Sequence, residues 1–147
     1  MSNAASNYLE NALLDHCLRR NSNGAERNAL PQPGVGGIYV GLFYGSTSTV
    51  LSNLEAGTLT DEVSLGSYAR QVVTFGQAAS GTSANDSTVT FPTASADYNG
   101  LVTCLAVMTT STSGGNVLFY GALTTPKNVT TGDTFQIATG NLQVSLS

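Results

Sequence analysis

The sequence predicts a mainly β protein: a two-sheet antiparallel sandwich, jelly-roll-like and of about seven strands, with one N-terminal amphipathic helix. Three observations predict it. Residues 7–20 carry the one stretch of helical periodicity. From Ile38 onward, short apolar alternations are broken by Gly, Ser, Thr and Asn. These runs recur at turn-punctuated intervals, the rhythm of an all-β body. The chain therefore divides into a helix and arm at 1–37 and a β-sandwich body at 38–147.

The helix comes first. Asn7 is the expected N-cap, with Glu10 three residues on to complete a capping box. An earlier start near Ser2, through Ala4 and Ala5, is the alternative. Leu9, Leu13 and Cys17 recur every fourth residue, with Leu14 and Leu18 beside them, while Glu10, Asn11 and Asp15 fall away from that stripe. Arg19 and Arg20 suit the negative end of the helix dipole, and Asn21 to Gly24 stop it. Four turns are too short to hold in water alone. Burying each leucine contributes about 1.5–3 kcal/mol, but only against a partner surface. Leu9, Leu13, Leu14, Cys17 and Leu18 are therefore the candidate docking residues. Residues 21–37, rich in Pro and Gly, then read as a linker or arm.

The strands follow. Ile38–Tyr44 is apolar on both faces. Residues 45–66 read as irregular, with Leu51, Leu54, Leu59, Val63 and Leu65 as scattered anchors. A second strand spans 68–75, and Val89 and Phe91 mark a third that Pro92 ends. The fourth, 101–108, is apolar on both faces and belongs in the centre of a sheet. Ser111 to Asn116 turn it into a fifth strand, 117–124, as a hairpin. Phe135 and Ile137 mark the sixth, and Leu142, Val144 and Leu146 the seventh, with the C-terminus expected inside a sheet.

Composition narrows the function. At 147 residues the chain fits one domain with a core large enough to need neither staple nor metal. Charged residues are only 10% of the chain, and Ser plus Thr are about a quarter of it. Such a surface packs against neighbours at little ionic desolvation cost. The net charge of −4 and the scattered Arg19, Arg20, Arg27, Arg70 and Lys127 point away from nucleic acid. No apolar run is long enough for a membrane span, and the N-terminus lacks a signal-peptide pattern, so synthesis in a cytosol is expected. Cys17 and Cys104 are expected as free, buried thiols, although sequence spacing leaves a bridge between them open.

No constellation for catalysis stands out. The single histidine, His16, lies beside Cys17 on the helix, and neighbours one residue apart point to different faces. Zinc needs converging ligands, and neither HxxxH nor CxxC spacing occurs. Asp61 and Glu62 are adjacent, so their carboxylates should diverge rather than pair as in glycoside hydrolysis. Asp97 and Asp133 fit turn chemistry. A loop calcium site would suit such carboxylates, but no DxDxDG pattern supports one. Tyr39, Phe43, Tyr44, Tyr68, Tyr98 and Tyr120 would have to share a face to bind sugar; packing within the sheets is the simpler expectation. Asn85 and Asn128 sit in short glycosylation-like triplets. The chain is thus expected to be no enzyme and to hold no cofactor or metal.

Four blocks carry a family resemblance: NYLENALLDH at 7–16, GSYARQVVTF at 66–75, VTFPTASADYNG at 89–100 and GGNVLFYGALTTPKNVTTGDTFQIATGNLQVSL at 114–146. Together they resemble a family of small tailed-bacteriophage virion proteins, often labelled tail fibre proteins and similar to jelly-roll cement proteins of phage heads. Tyr98 stands where the family pattern has Trp. The resemblance implies a virion structural protein. Its leading form is a capsid decoration or cement protein that stabilises the head through oligomeric contacts. The alternative is a tail-fibre, head-fibre or connector subunit with a host-receptor-binding role. The implied partners are its own copies, as dimer or trimer, and other virion proteins, the major capsid protein first. Neither nucleic acid nor membrane is implied. The implied location is the virion, after synthesis in the host bacterial cytoplasm.

Overall fold

A computed structural model describes residues 3–18 and 37–146. In chain order the elements are β1 (Asn3–Ala5), α1 (Asn7–Leu18), β2 (Ile38–Tyr44), α2 (Thr47–Glu55), β3 (Gln71–Val73), β4 (Thr82–Ala84), β5 (Val89–Thr90), β6 (Val102–Met108), β7 (Val117–Lys127), β8 (Gln136–Ile137) and β9 (Gln143–Ser145). All strand pairs are antiparallel. Five strands form one sheet in the order β1-β7-β6-β2-β3, and two ribbons, β4-β9 and β5-β8, accompany it.

The predicted sandwich is present, with its second layer divided into those two ribbons. Val40 and Leu42 of β2 and Leu105 and Val107 of β6 share a buried cluster with Val89 of β5, Ile137 of β8, Phe91 and Leu142. The alternate residues, Phe43, Cys104, Ala106 and Met108, form a second cluster with Val50 and Leu54 of α2. The period-2 geometry of a strand explains the split: neighbouring side chains point to opposite faces. Every residue of β6 is buried, which is why its sequence is apolar apart from Thr103. The hairpin of β6 and β7 forms as expected, with Leu105 opposite Gly121 and Val107 opposite Phe119. Leu105→Ala should lower unfolding stability by about 2–5 kcal/mol, the range for a buried leucine truncation. Urea denaturation of the purified chain checks it; a loss under about 1 kcal/mol would contradict this packing.

Three expectations are corrected. Ala4 and Ala5 do not start the helix but lie in β1, which pairs with Phe119 to Gly121 of β7. Residues 45–66 are not all irregular, because α2 occupies Thr47–Glu55 and lays Val50 and Leu54, one turn apart, on the sheet. The second strand is shorter than 68–75: Gln71–Val73 pairs with β2, and Phe75 only bridges to Asn85. The expected helix stop at 21–24, the arm at 21–36 and the placements of Arg19 and Arg20 lie outside the described residues.

Buried polar groups tie the layers together. Arg70 donates from Nε and Nη2 to the two oxygens of Glu62 at 2.6 and 2.7 Å. Its Nη1 donates to the Thr110 and Gly114 carbonyls at 3.0 and 2.9 Å, fastening the β6–β7 turn. Tyr68 donates to Glu62 at 2.9 Å and accepts from the Leu42 N–H at 3.0 Å. Burial, then the Glu62 charge, raises the Tyr68 pKa and keeps the phenol a donor. Asn85 is also buried. It donates to the Ser87 and Ala138 carbonyls and accepts from the Leu142 N–H, stitching the two ribbons. That burial leaves no room for a glycan on Asn85 in the folded chain. Gly66, at φ 71°, must be glycine: a Cβ there would lie 2.3 Å from the Ala96 carbonyl oxygen and 2.9 Å from the Tyr98 ring.

Candidate functional site

The N-terminal strand and helix are the part of the chain whose burial and composition disagree. β1 needs no particular side chains, because it adds to the β7 edge through its backbone. Ser6 then turns the chain. Its N–H donates to the Leu118 carbonyl at 3.0 Å, and its hydroxyl donates to the Val117 carbonyl. The Leu9 N–H reaches back to the Ser6 hydroxyl at 3.4 Å, and the Glu10 N–H bonds the Ser6 carbonyl at 2.9 Å. Ser6, not Asn7, therefore occupies the N-cap, and the Asn7–Glu10 capping box is corrected. A serine one residue ahead of an equally good capping residue was the signal; only the tie to β7 decides between them.

From this anchor α1 leaves the body with no residue buried. Leu9 is half-buried, Leu13 and Leu14 are exposed, and Leu18 is 76% exposed. Tyr8 is exposed as well. Cys17 is also exposed, which corrects the expectation of two buried thiols, while Cys104 is buried and neither is bridged. The five candidate docking residues thus lie on one helix, with Leu9 partly covered and Leu13, Leu14, Cys17 and Leu18 left exposed by the rest of the described chain. Tyr120 of β7 lies near both Glu10 of α1 and Glu55 of α2, whose charges add to burial in raising its pKa.

The two thiols should differ sharply in chemistry. Burial raises the Cys104 pKa, and reactivity follows the thiolate. A colorimetric thiol reagent should label one cysteine of the native purified chain quickly, Cys17, and the second only after unfolding. Two equally fast thiols would contradict the buried placement of Cys104.

The other candidate groups serve the loops. Asp61 accepts from the Asn53 amide at 2.7 Å, while Glu62 faces Arg70, so the adjacent carboxylates diverge. Asp97 accepts from the Thr131 N–H at 2.8 Å; Asp133 accepts from the Thr130 N–H and hydroxyl, each at 2.9 Å, and the two Thr130 bonds hold the Asp133 carboxyl below its usual pKa. Asn99 accepts from the Ser64 and Leu65 N–H groups. The aromatic residues do not share a face: Phe43 and Tyr120 pack beside α2, and Tyr68 and Tyr98 in the opposite cluster. Tyr68 stacks on Phe91 with centroids 5.9 Å apart and meets the Tyr98 edge at 6.0 Å. Among the described residues no three His, Cys, Asp or Glu side chains gather into a metal-holding group. No described helix is long and apolar enough to cross a membrane.

A family model described as podophage GP4 fiber I protein gp80 matches residues 4–145. The match runs from β1 through β9 and so takes in the N-terminal strand and helix as well as the body. No curated protein matches the chain.

Proposed function

Since the chain belongs to the podophage GP4 fiber I protein gp80 family, we propose that it is a structural subunit of a phage virion fibre, attached through α1. The observation that carries this reading is the exposed leucine ridge. The exposed large apolar residues of the body, Leu65, Val72, Leu101 and Leu146, lie on separate segments, whereas Leu13, Leu14 and Leu18 stand exposed together on one short helix. An isolated helix of this length is unstable in water, so the ridge calls for a covering surface. The β body supplies the rigid unit and α1 the connector. On this reading the protein makes contacts and catalyses no reaction. Its partners are copies of itself, as dimer or trimer, and a neighbouring virion protein; its acidic balance, net −4, suits neither nucleic acid nor an anionic membrane. It is made in the host bacterial cytoplasm and ends in the virion.

A second reading, capsid decoration against the major capsid protein, is favoured by one observation: the body is layered and low in charge, a form that tiles on a shell. Copy number separates the two. Densitometry of purified virions against the major capsid protein should give few copies per particle for a fibre. A ratio near one copy per capsid subunit, or one per few, would overturn the fibre reading in favour of decoration. In that case heads lacking the protein should lose heat or low-salt stability, and adding it back should restore them.

A further inference from the structure

The strand that closes the β7 edge is joined to the rest of the chain only through residues 19–36. The described chain leaves at Leu18 and returns at Gly37, so 18 residues make the connection. Extended, they reach at most about 60 Å. A body of this size is only about 40 Å across. The tether is therefore long enough to carry β1 and α1 to the body of a touching neighbour. Its sequence includes Pro31, Pro33, Gly34 and Gly36.

The docking contacts are equally indifferent to which chain supplies the arm. Asn3, Ala4 and Ala5 pair with Gly121, Tyr120 and Phe119, and Ser6 binds the Val117 and Leu118 carbonyls. Every copy offers the same edge and the same strand. Exchanging identical elements keeps each contact and adds a link between copies. Without an arm, that part of β7 would present unpaired backbone groups at the sheet edge.

We propose that the N-terminal arm is exchanged: β1 and α1 of one copy dock on β7 of a second copy of this chain. This rests on reading α1 as the connector. The exchange would place the leucine ridge at the junction between bodies, where an oligomer can cover it.

Paired cysteines test the exchange directly. In a Cys17→Ser, Cys104→Ala background, one chain carries Ala5→Cys and a second, differently tagged chain carries Phe119→Cys. Opposite residues of an antiparallel pair lie within disulfide range. Co-expression and oxidation should yield a covalent dimer of the two tagged chains. A chain carrying both substitutions should give covalent oligomers. If the doubly substituted chain forms only an internal disulfide and the mixed pair forms no cross-link, the exchange is overturned. Should these variants fail to fold, the full chain with Ala4→Pro provides a second reading, because proline breaks the β1 ladder. Light scattering should then show the oligomer falling to monomers; an unchanged oligomer would overturn the proposal. Absence of the protein from virions would instead sink the fibre reading and leave arm exchange standing.

Discussion

Arg70→Ala is expected to cost about 3–5 kcal/mol of folding stability, enough to remove a large share of what a domain of this size has. The Arg70 side chain is 2% exposed and that of Glu62 15%. Removing the guanidinium leaves the Glu62 carboxylate facing the Tyr68 phenol without its bidentate partner. It also releases the Thr110 and Gly114 carbonyls, so the β6–β7 turn loses its anchor. A surface ion pair would contribute at most about 1 kcal/mol, and burial is what separates this one from that class. The melting temperature should fall by on the order of 10 °C. Pairing Arg70→Met with Glu62→Leu should recover only part of the loss: no unpaired charge then remains buried, but the Thr110 and Gly114 carbonyls and the Tyr68 hydroxyl still lack their partners. A single Arg70→Ala variant within about 1 kcal/mol of the parent would show that the pair does not hold the turn.

The double change Leu13→Asp, Leu14→Asp should have the opposite profile. Both leucines are exposed among the described residues, so unfolding stability of the isolated chain should shift by no more than about 0.5 kcal/mol per site. In the assembled particle each aspartate would be buried without a partner, at about 3–5 kcal/mol each. That sum corresponds to a loss of at least about ten-thousandfold in association. Complementation of a phage lacking the gene, followed by counting the protein in purified particles, measures it. A variant that incorporates normally would show that the ridge is not the connector.

What the sequence made legible follows from where apolar periodicity decides the structure. β2 and β6 are bracketed by turn residues and apolar on both faces, and both form as strands, with β6 in the interior of the sheet. β1 is Asn-Ala-Ala, which carries no strand pattern, because its pairing is made by backbone alone. α2 opens on Thr-Ser-Thr, which reads as a loop; only Val50 and Leu54 mark a helix, and packing on Phe43 settles it. β4 is Thr-Ser-Ala and is likewise silent. The Glu62–Arg70 pair was hidden because its partners flank an irregular turn, where no period relates them. Ser67 there has φ 64°, beside Gly66. The docking ridge was legible as an amphipathic stripe. That it would find no cover in its own body was not, since exposure depends on the route α1 takes from Ser6.

The account turns on whether α1 is the contact by which this protein is held in the particle. High-resolution imaging of intact virions, carried to a resolution that shows helices, measures this directly. The protein should be found in a fibre, with Leu13, Leu14 and Leu18 covered by another copy or a neighbouring virion protein. Virions in which the protein is present but its α1 ridge faces solvent, with all contacts made by the β body, would contradict it.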